Sequence, residues 1–356
     1  MLRAIGLAAR LAPAGTAGVP RRAAYTGRFL RGSRAIRMTA WALVAAGVAA
    51  PPLRRRMHLR PATVLGFAGL APIAAAVAVP PGRPRQAAVC ALNMWAYLAA
   101  YEMPNDDPAR LRARVRVRYP LAVDKVLGLG VTPTVRLQEK FATPGSVGRF
   151  ERVLVWCHWV WFLVPHGSVA YVMWRTPERL PAAAVRMYAV FDLGAVFYWA
   201  IPTAPPWWAA TEGRLESREP ARVRRLMIEY GQEFWGSRWG DLYDVLGGNP
   251  LAAMPSLHFA TSLMAAHLLW ETGPVAGALG STYAGLLGLA LVYLGEHYAI
   301  DLLAGAALTE AVRGGARQLA PVLRRWGAAP PTAVGRGRRS GLLPRRWIAR
   351  PAVAGG

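Results

Sequence analysis

Cysteine is almost missing from this chain of 356 residues. Cys90 and Cys157 are the only two, and both fall in apolar segments, where a reduced core role is expected. That excludes a disulfide framework and a zinc site built on paired cysteines. Lysine is equally scarce. Of 43 basic residues only Lys125 and Lys140 are lysines, and the other 41 are arginines. Acidic residues number 19, which leaves a formal net charge of +24. Charged residues make up only 17% of the chain against 54% hydrophobic, too apolar a balance for an ordinary soluble domain.

The arginine excess does not read as a nucleic-acid footprint. Residues 1–37 hold eight arginines and no acid, and residues 313–350 hold ten and no acid. Basic stretches flanking membrane segments mark the cytoplasmic side and attract anionic lipid. The bilayer is therefore the expected partner, and nucleic acid is not. The N-terminal arm also has the arginine-rich, acid-free composition of an organelle transit peptide.

What the chain does have is long apolar runs, at 38–53, 62–80, 86–103, 153–174, 182–202, 256–271, 276–295 and 298–312. A crossing needs about 20 such residues. The expected fold is all-α, a polytopic membrane bundle of seven or eight transmembrane helices. The organisation reads as a basic arm (1–37), N-terminal membrane helices (38–103), a polar interfacial segment (104–152), a catalytic membrane domain (153–315) and a basic tail (316–356). Arm and tail have the composition of disordered segments. A cytoplasmic tail makes 298–312 run inward, 276–295 outward and 256–271 inward. His258 and His297, one helical hairpin apart, then emerge at the same face, together with 104–152.

The chemistry sits in two short stretches, Met254-Pro255-Ser256-Leu257-His258 and His297-Tyr298-Ala299-Ile300-Asp301. Ser256 is a favoured N-cap, and the helix it opens offers free N–H groups to an anion. His297 and Asp301 are four apart, a spacing that stacks two side chains on one helix face. A carboxylate inside an apolar helix costs about 2.5–3.5 kcal/mol to insert and is a functional candidate by default. Asp301 can take the Nδ1 proton of His297 and leave Nε2 free to attack phosphorus. His258 can give a proton to the departing oxygen. His267, His158 and His166 read as structural, although the latter two could line a cavity. Asp192 and Arg186 are buried charges that need partners. Trp207 and Trp208 are expected at the membrane interface.

These motifs, with Pro202-Thr203-Ala204-Pro205-Pro206-Trp207 upstream, resemble the type-2 phosphatidic acid phosphatase superfamily. The upstream motif is similar to the inositol phosphorylceramide synthase branch, and the second stretch also to the sphingomyelin synthase pattern. The resemblance covers about 153–315. It implies His297 as nucleophile, Asp301 as its orienting carboxylate and His258 as general acid, with no metal and no cofactor. Two departures stand out. The superfamily's Lys-x6-Arg-Pro motif has no match, and Leu291 stands where an arginine precedes the nucleophile by six residues. The phosphate must be met otherwise, by Ser256, Tyr298 and Arg238, or by Arg214, Arg218, Arg222, Arg224 or Arg225. The expected activity is transfer from a phospholipid or lipid phosphate to inositol or another polyol. The location implied is a bacterial plasma membrane with an extracytoplasmic site. A phosphatase using water, and a non-catalytic transporter or scaffold with a His–Asp relay, are the alternatives.

Overall fold

The computed structural model describes residues 34–143, 145–212, 223–246 and 248–327. The arm before residue 34, the tail after 327 and Arg214, Arg218 and Arg222 lie outside the described residues. Among the described residues the chain is helical, with no strand and only two isolated bridges. In a bilayer an apolar run becomes a helix because each backbone group is then satisfied within the segment.

The N-terminal part is three helices, α1 (Arg34–Leu53), α2 (Pro61–Ala78) and α3 (Arg83–Glu102). α1 starts inside the expected basic arm, and Pro51 and Pro52 lie in its last turn, where proline ends the ladder. Just beyond it, Arg54 is fastened to Asp106 at 2.7 Å and Glu102 at 3.3 Å.

The polar stretch after α3 folds into short helices, α4 (Pro108–Arg114), α5 (Arg118–Leu127) and α6 (Pro133–Phe141). α5 and α6 lie over the ends of the last two helices of the chain. Thr134 donates to the Val292 carbonyl at 2.9 Å and Gln138 to the Tyr293 carbonyl at 2.8 Å.

The expected span 153–174 is not one straight helix. It divides into α7 (Arg149–Trp159) and α8 (Leu163–Arg175), bent by 53° at a short break. α9 (Leu180–Ala200) follows, then short α10 (Pro206–Thr211), α11 (Leu226–Trp235) and α12 (Arg238–Leu246). The chain closes with α13 (Leu257–Trp270), α14 (Pro274–Tyr293) and α15 (Ala299–Gly327). α15 runs beyond residue 315, so the first part of the expected tail continues the last helix.

Among the described residues α1, α2, α14 and the stretch Pro177–Ala200 containing α9 are long and apolar enough to cross a membrane, and the bent α7–α8 pair would make a fifth crossing. α13, with 14 residues, is about 21 Å long and needs its flanks to complete a passage. α3, α13 and α15 complete an all-α membrane bundle.

α13 sits at the centre and touches α8, α9, α14 and α15. Leu257, Met264 and Leu268 pack with Met187 and Phe191 of α9 in a fully buried core. Arg186 and Asp192, expected to be buried, are half-buried and exposed respectively, because α9 turns those positions toward its outer face, and both find partners. Arg186 pairs with Glu271 at 2.5 and 2.8 Å, and Asn93 reaches Asp192 at 3.4 Å.

The crossing of α13 and α15 depends on Gly305. A Cβ there would lie 2.6 Å from the Ser256 carbonyl oxygen and 3.4 Å from Ala260 Cβ. Gly305→Val should therefore force the two helices apart and cost about 1–3 kcal/mol. Thermal unfolding of the detergent-solubilised protein measures this, and an unchanged melting temperature would contradict the close crossing.

Candidate functional site

The approach to α13 is held by three extended segments. Arg116 N–H donates to the Pro202 carbonyl at 2.8 Å, Thr203 N–H to Leu251 at 2.9 Å and Ala253 N–H to Thr203 at 3.1 Å. Tyr198 adds a hydroxyl bond to the Pro255 carbonyl at 3.0 Å. Ser256, fully buried, then caps α13 by accepting from Phe259 N–H at 3.3 Å. Its own N–H donates across to the Asp301 carbonyl at 2.9 Å. This fixes His258 in the first turn of α13.

The second stretch is built differently from a single helix face. α14 ends at Tyr293, and Gly295 turns the chain at φ +75°, a conformation that favours glycine. His297 lies in this turn, before α15 begins, with its N–H donated to the Leu291 carbonyl at 3.1 Å. Asp301 is the third residue of α15, and its Oδ2 accepts from Tyr298 N–H at 2.9 Å. That is the reach-back half of a capping box, an acid at N3 serving the N-cap amide. The i, i+4 pair thus meets because the carboxylate bends back over the helix start, where it also meets the positive end of the helix dipole.

Together these elements bring the two histidines into contact. His258 Nδ1 lies 3.2 Å from His297 Nε2. His297 Nδ1 lies 3.4 Å from Asp301 Oδ2. The latter is long for a hydrogen bond. Asp301 is 0% and His297 3% exposed, so the carboxylate is the acceptor the buried Nδ1 faces. In the tautomer that turns the His297 Nδ1 proton to Asp301, Nε2 carries a lone pair and is free to accept from His258 Nδ1–H.

The break between α7 and α8 supplies a further pair of rings. His158 lies 4.8 Å from His258 between ring centroids, and Trp161 lies 4.1 Å from it. Trp161 is anchored by its indole N–H to Thr261 Oγ1 at 3.0 Å. His258 is thereby held between two rings. The structure places His158 beside the site, whereas His166 is occupied by the Phe162 carbonyl and Met94 sulfur. His267 lies about two and a half turns further along α13, bonded to Glu310 and Arg313.

The remaining candidates divide. Arg238 is exposed on α12 and makes no hydrogen bond to either histidine. Arg224 is tied to Glu229 and to the Thr143 and Ser146 carbonyls. Tyr298 is 1% exposed and packs among Leu111, Leu121 and Trp208. Its backbone serves the site while its ring is core. Trp207 and Trp208 are likewise buried, not set out at the interface, because α10 folds back under the 295–298 turn and Trp207 N–H donates to the Gly295 carbonyl at 3.1 Å. Trp207 instead carries the Arg225 guanidinium 3.5 Å from its ring centroid. Burial pushes the Glu296 carboxyl up from its ordinary value, while the neighbouring Arg225 and His297 pull it down. Arg225 is therefore one arginine placed beside the histidine turn among the described residues.

Sequence reasoning missed Asp124 altogether. It is 0% exposed on α5, and its carboxylate accepts from Ala299 N–H at 2.8 Å and Ile300 N–H at 3.0 Å. Burial pushes its carboxyl up to about 6, against the pull of those two backbone donors. The signal was an acid on the inward face of α5, one turn beyond Pro120 and Leu121.

Asp301→Ala should leave the Tyr298 amide buried without an acceptor, costing about 1–3 kcal/mol. Asp301→Asn should recover part of that. Melting temperatures in detergent measure both, and an alanine variant as stable as the parent would show that the carboxylate does not hold the turn.

A known family matches this same region. The family described as the PAP2 superfamily matches residues 121–313, more than half of the chain, opening within α5 and closing within α15. Over 122 residues, 33% of this chain, it is 28% identical to an inositol phosphorylceramide synthase of Candida albicans. The match takes in 25% of that relative, so the chain spans about a quarter of its length. No solved structure matches. The family match begins earlier than the motifs alone indicated, drawing α5 and α6 into the same unit as the two histidines, and by that match the chain belongs to the PAP2 superfamily.

Proposed function

We propose that this protein is an integral membrane lipid phosphotransferase working through a phosphohistidine on His297. One observation carries the reading: His297 Nε2 faces His258 Nδ1 at 3.2 Å with Asp301 behind the other nitrogen. In the first half-reaction the Nε2 lone pair attacks phosphorus and the bond to the leaving lipid oxygen breaks. His258, entering the step as the doubly protonated imidazolium, gives its Nδ1 proton to that oxygen and is left as the neutral imidazole, the oxygen replacing Nε2 as its hydrogen-bond partner. Asp301 stabilises the charge that develops on the His297 ring. In the second half-reaction His258 removes a proton from an acceptor hydroxyl. The acceptor oxygen attacks phosphorus, the P–N bond breaks, and its electron pair returns to Nε2.

The acceptor in this reading is inositol or another polyol. The likeness to the fungal synthase supports transfer over hydrolysis, as does the lack in this sequence of the basic motifs that superfamily phosphatases carry. Among the described residues Arg225, stacked on Trp207 beside Glu296, is the cation this reading assigns to the phosphate oxygens. The site faces the extracytoplasmic side of the membrane in this reading, since α15 runs from the site to Arg313 and Arg317.

The test is a lipid head-group screen on purified protein in mixed micelles, with label on phosphorus and inositol or glycerol supplied. Label should pass to the polyol, and His297→Ala should lower turnover by at least about a thousandfold. Label appearing only as inorganic phosphate would make the protein a phosphatase. Undiminished turnover by His297→Ala would rule out the nucleophile.

A further inference from the structure

We infer that Asp124 is a positioning residue for the His297–Asp301 pair, acting through the first turn of α15. The inference rests on the reading of that pair as nucleophile and orienting carboxylate.

A helix usually closes its first turn with a local side chain, Ser, Thr, Asp or Asn at the N-cap. In α15 the N-cap position is Tyr298, which has no short side-chain oxygen to offer. The cap comes instead from 175 residues upstream. Asp124 Oδ2 takes Ala299 N–H at 2.8 Å and Oδ1 takes Ile300 N–H at 3.0 Å. With Tyr298 N–H on Asp301 Oδ2 at 2.9 Å, three successive amides end on two carboxylates. A two-oxygen grip on adjacent N–H groups fixes both the direction and the rotation of that turn. Asp301 is the next residue, and His297 is the residue before Tyr298.

Stability alone does not call for this arrangement. A neutral cap would satisfy the same amides without placing a second buried carboxylate near Asp301, whose charge works against ionisation of Asp124. The grip also ties the pair to α5, the element with which the family match opens. The first turn of α15 then cannot swing while α13 holds its other side through Ser256. A shift of about 1 Å in a nucleophile can cost about a hundredfold in rate.

The experiment compares Asp124→Asn and Asp124→Ala with the parent and with His297→Ala, using the phosphotransfer assay on monodisperse protein. Asn keeps the shape and one acceptor, so its melting temperature should stay within about 4 °C of the parent. Its kcat should nonetheless fall about 10- to 100-fold, with KM changed by no more than about twofold. Asp124→Ala should lose at least as much kcat. Unchanged kcat per folded molecule in Asp124→Asn would overturn the inference and leave Asp124 a structural cap. A raised KM at unchanged kcat would also overturn it, by moving the effect to substrate binding. Activity surviving in His297→Ala defeats the parent reading instead, whatever the Asp124 variants do.

Discussion

A single backbone hydrogen bond, Ser256 N–H to the Asp301 carbonyl at 2.9 Å, joins the starts of two helices, and the site is organised around it. Taken alone such a bond contributes only about 0.5–1.5 kcal/mol. Its consequence is geometric. It can form only if α13 and α15 approach almost to backbone contact, which Gly305 permits. Once they do, the first turn of α13 carries His258 and the turn leading into α15 carries His297, and the rings meet at 3.2 Å. The extended clip through Arg116, Thr203 and Ala252 delivers the chain to Ser256 from one side. α5 and α6 cover the α14–α15 turn from the other.

The electrostatics follow from the same contact. A helix start is positive, and here it is met by the protein's own carboxylates, Asp301 from within and Asp124 from α5. The amides of residues 298–300 are thereby committed to holding the turn, not to binding an anion. Positive charge for a phosphate has to come from elsewhere, and the chain lacks the superfamily's Lys-x6-Arg-Pro motif and the arginine at position 291. Among the described residues Arg225, laid on Trp207 next to Glu296, is a cation that the fold brings to this side of the turn. An arginine stacked on an indole keeps its guanidinium plane oriented, which suits recognition of phosphate oxygens.

Much of this was legible in the sequence. Apolar runs of about 20 residues can only be helices in a bilayer, so the all-α bundle followed from composition and run length. The two motifs were legible because histidine, serine and aspartate at the mouths of apolar segments are costly without a purpose. What stayed hidden depends on distant parts of the chain. Asp124 looked like one acid among many arginines, and only the packing of α5 over α15 gives it two amides. His158 read as structural because nothing local shows that the helix breaks after Trp159 and turns its ring toward His258. Trp207 and Trp208 have the composition of an interfacial belt, yet the return of α10 under the Gly295 turn buries them. The His297–Asp301 spacing predicted a contact that the structure makes through a different geometry, since the turn at Gly295 leaves His297 outside the helix.

The central claim is that His297 Nε2 becomes covalently bonded to phosphorus while Asp301 holds the opposite nitrogen. The most direct measurement is to quench the protein in alkali during turnover of a phosphorus-labelled lipid and map the label by mass spectrometry. The account predicts acid-labile, alkali-stable phosphate on the peptide containing His297. Steady turnover with no phosphorylated peptide, or label recovered on a different residue, would contradict it.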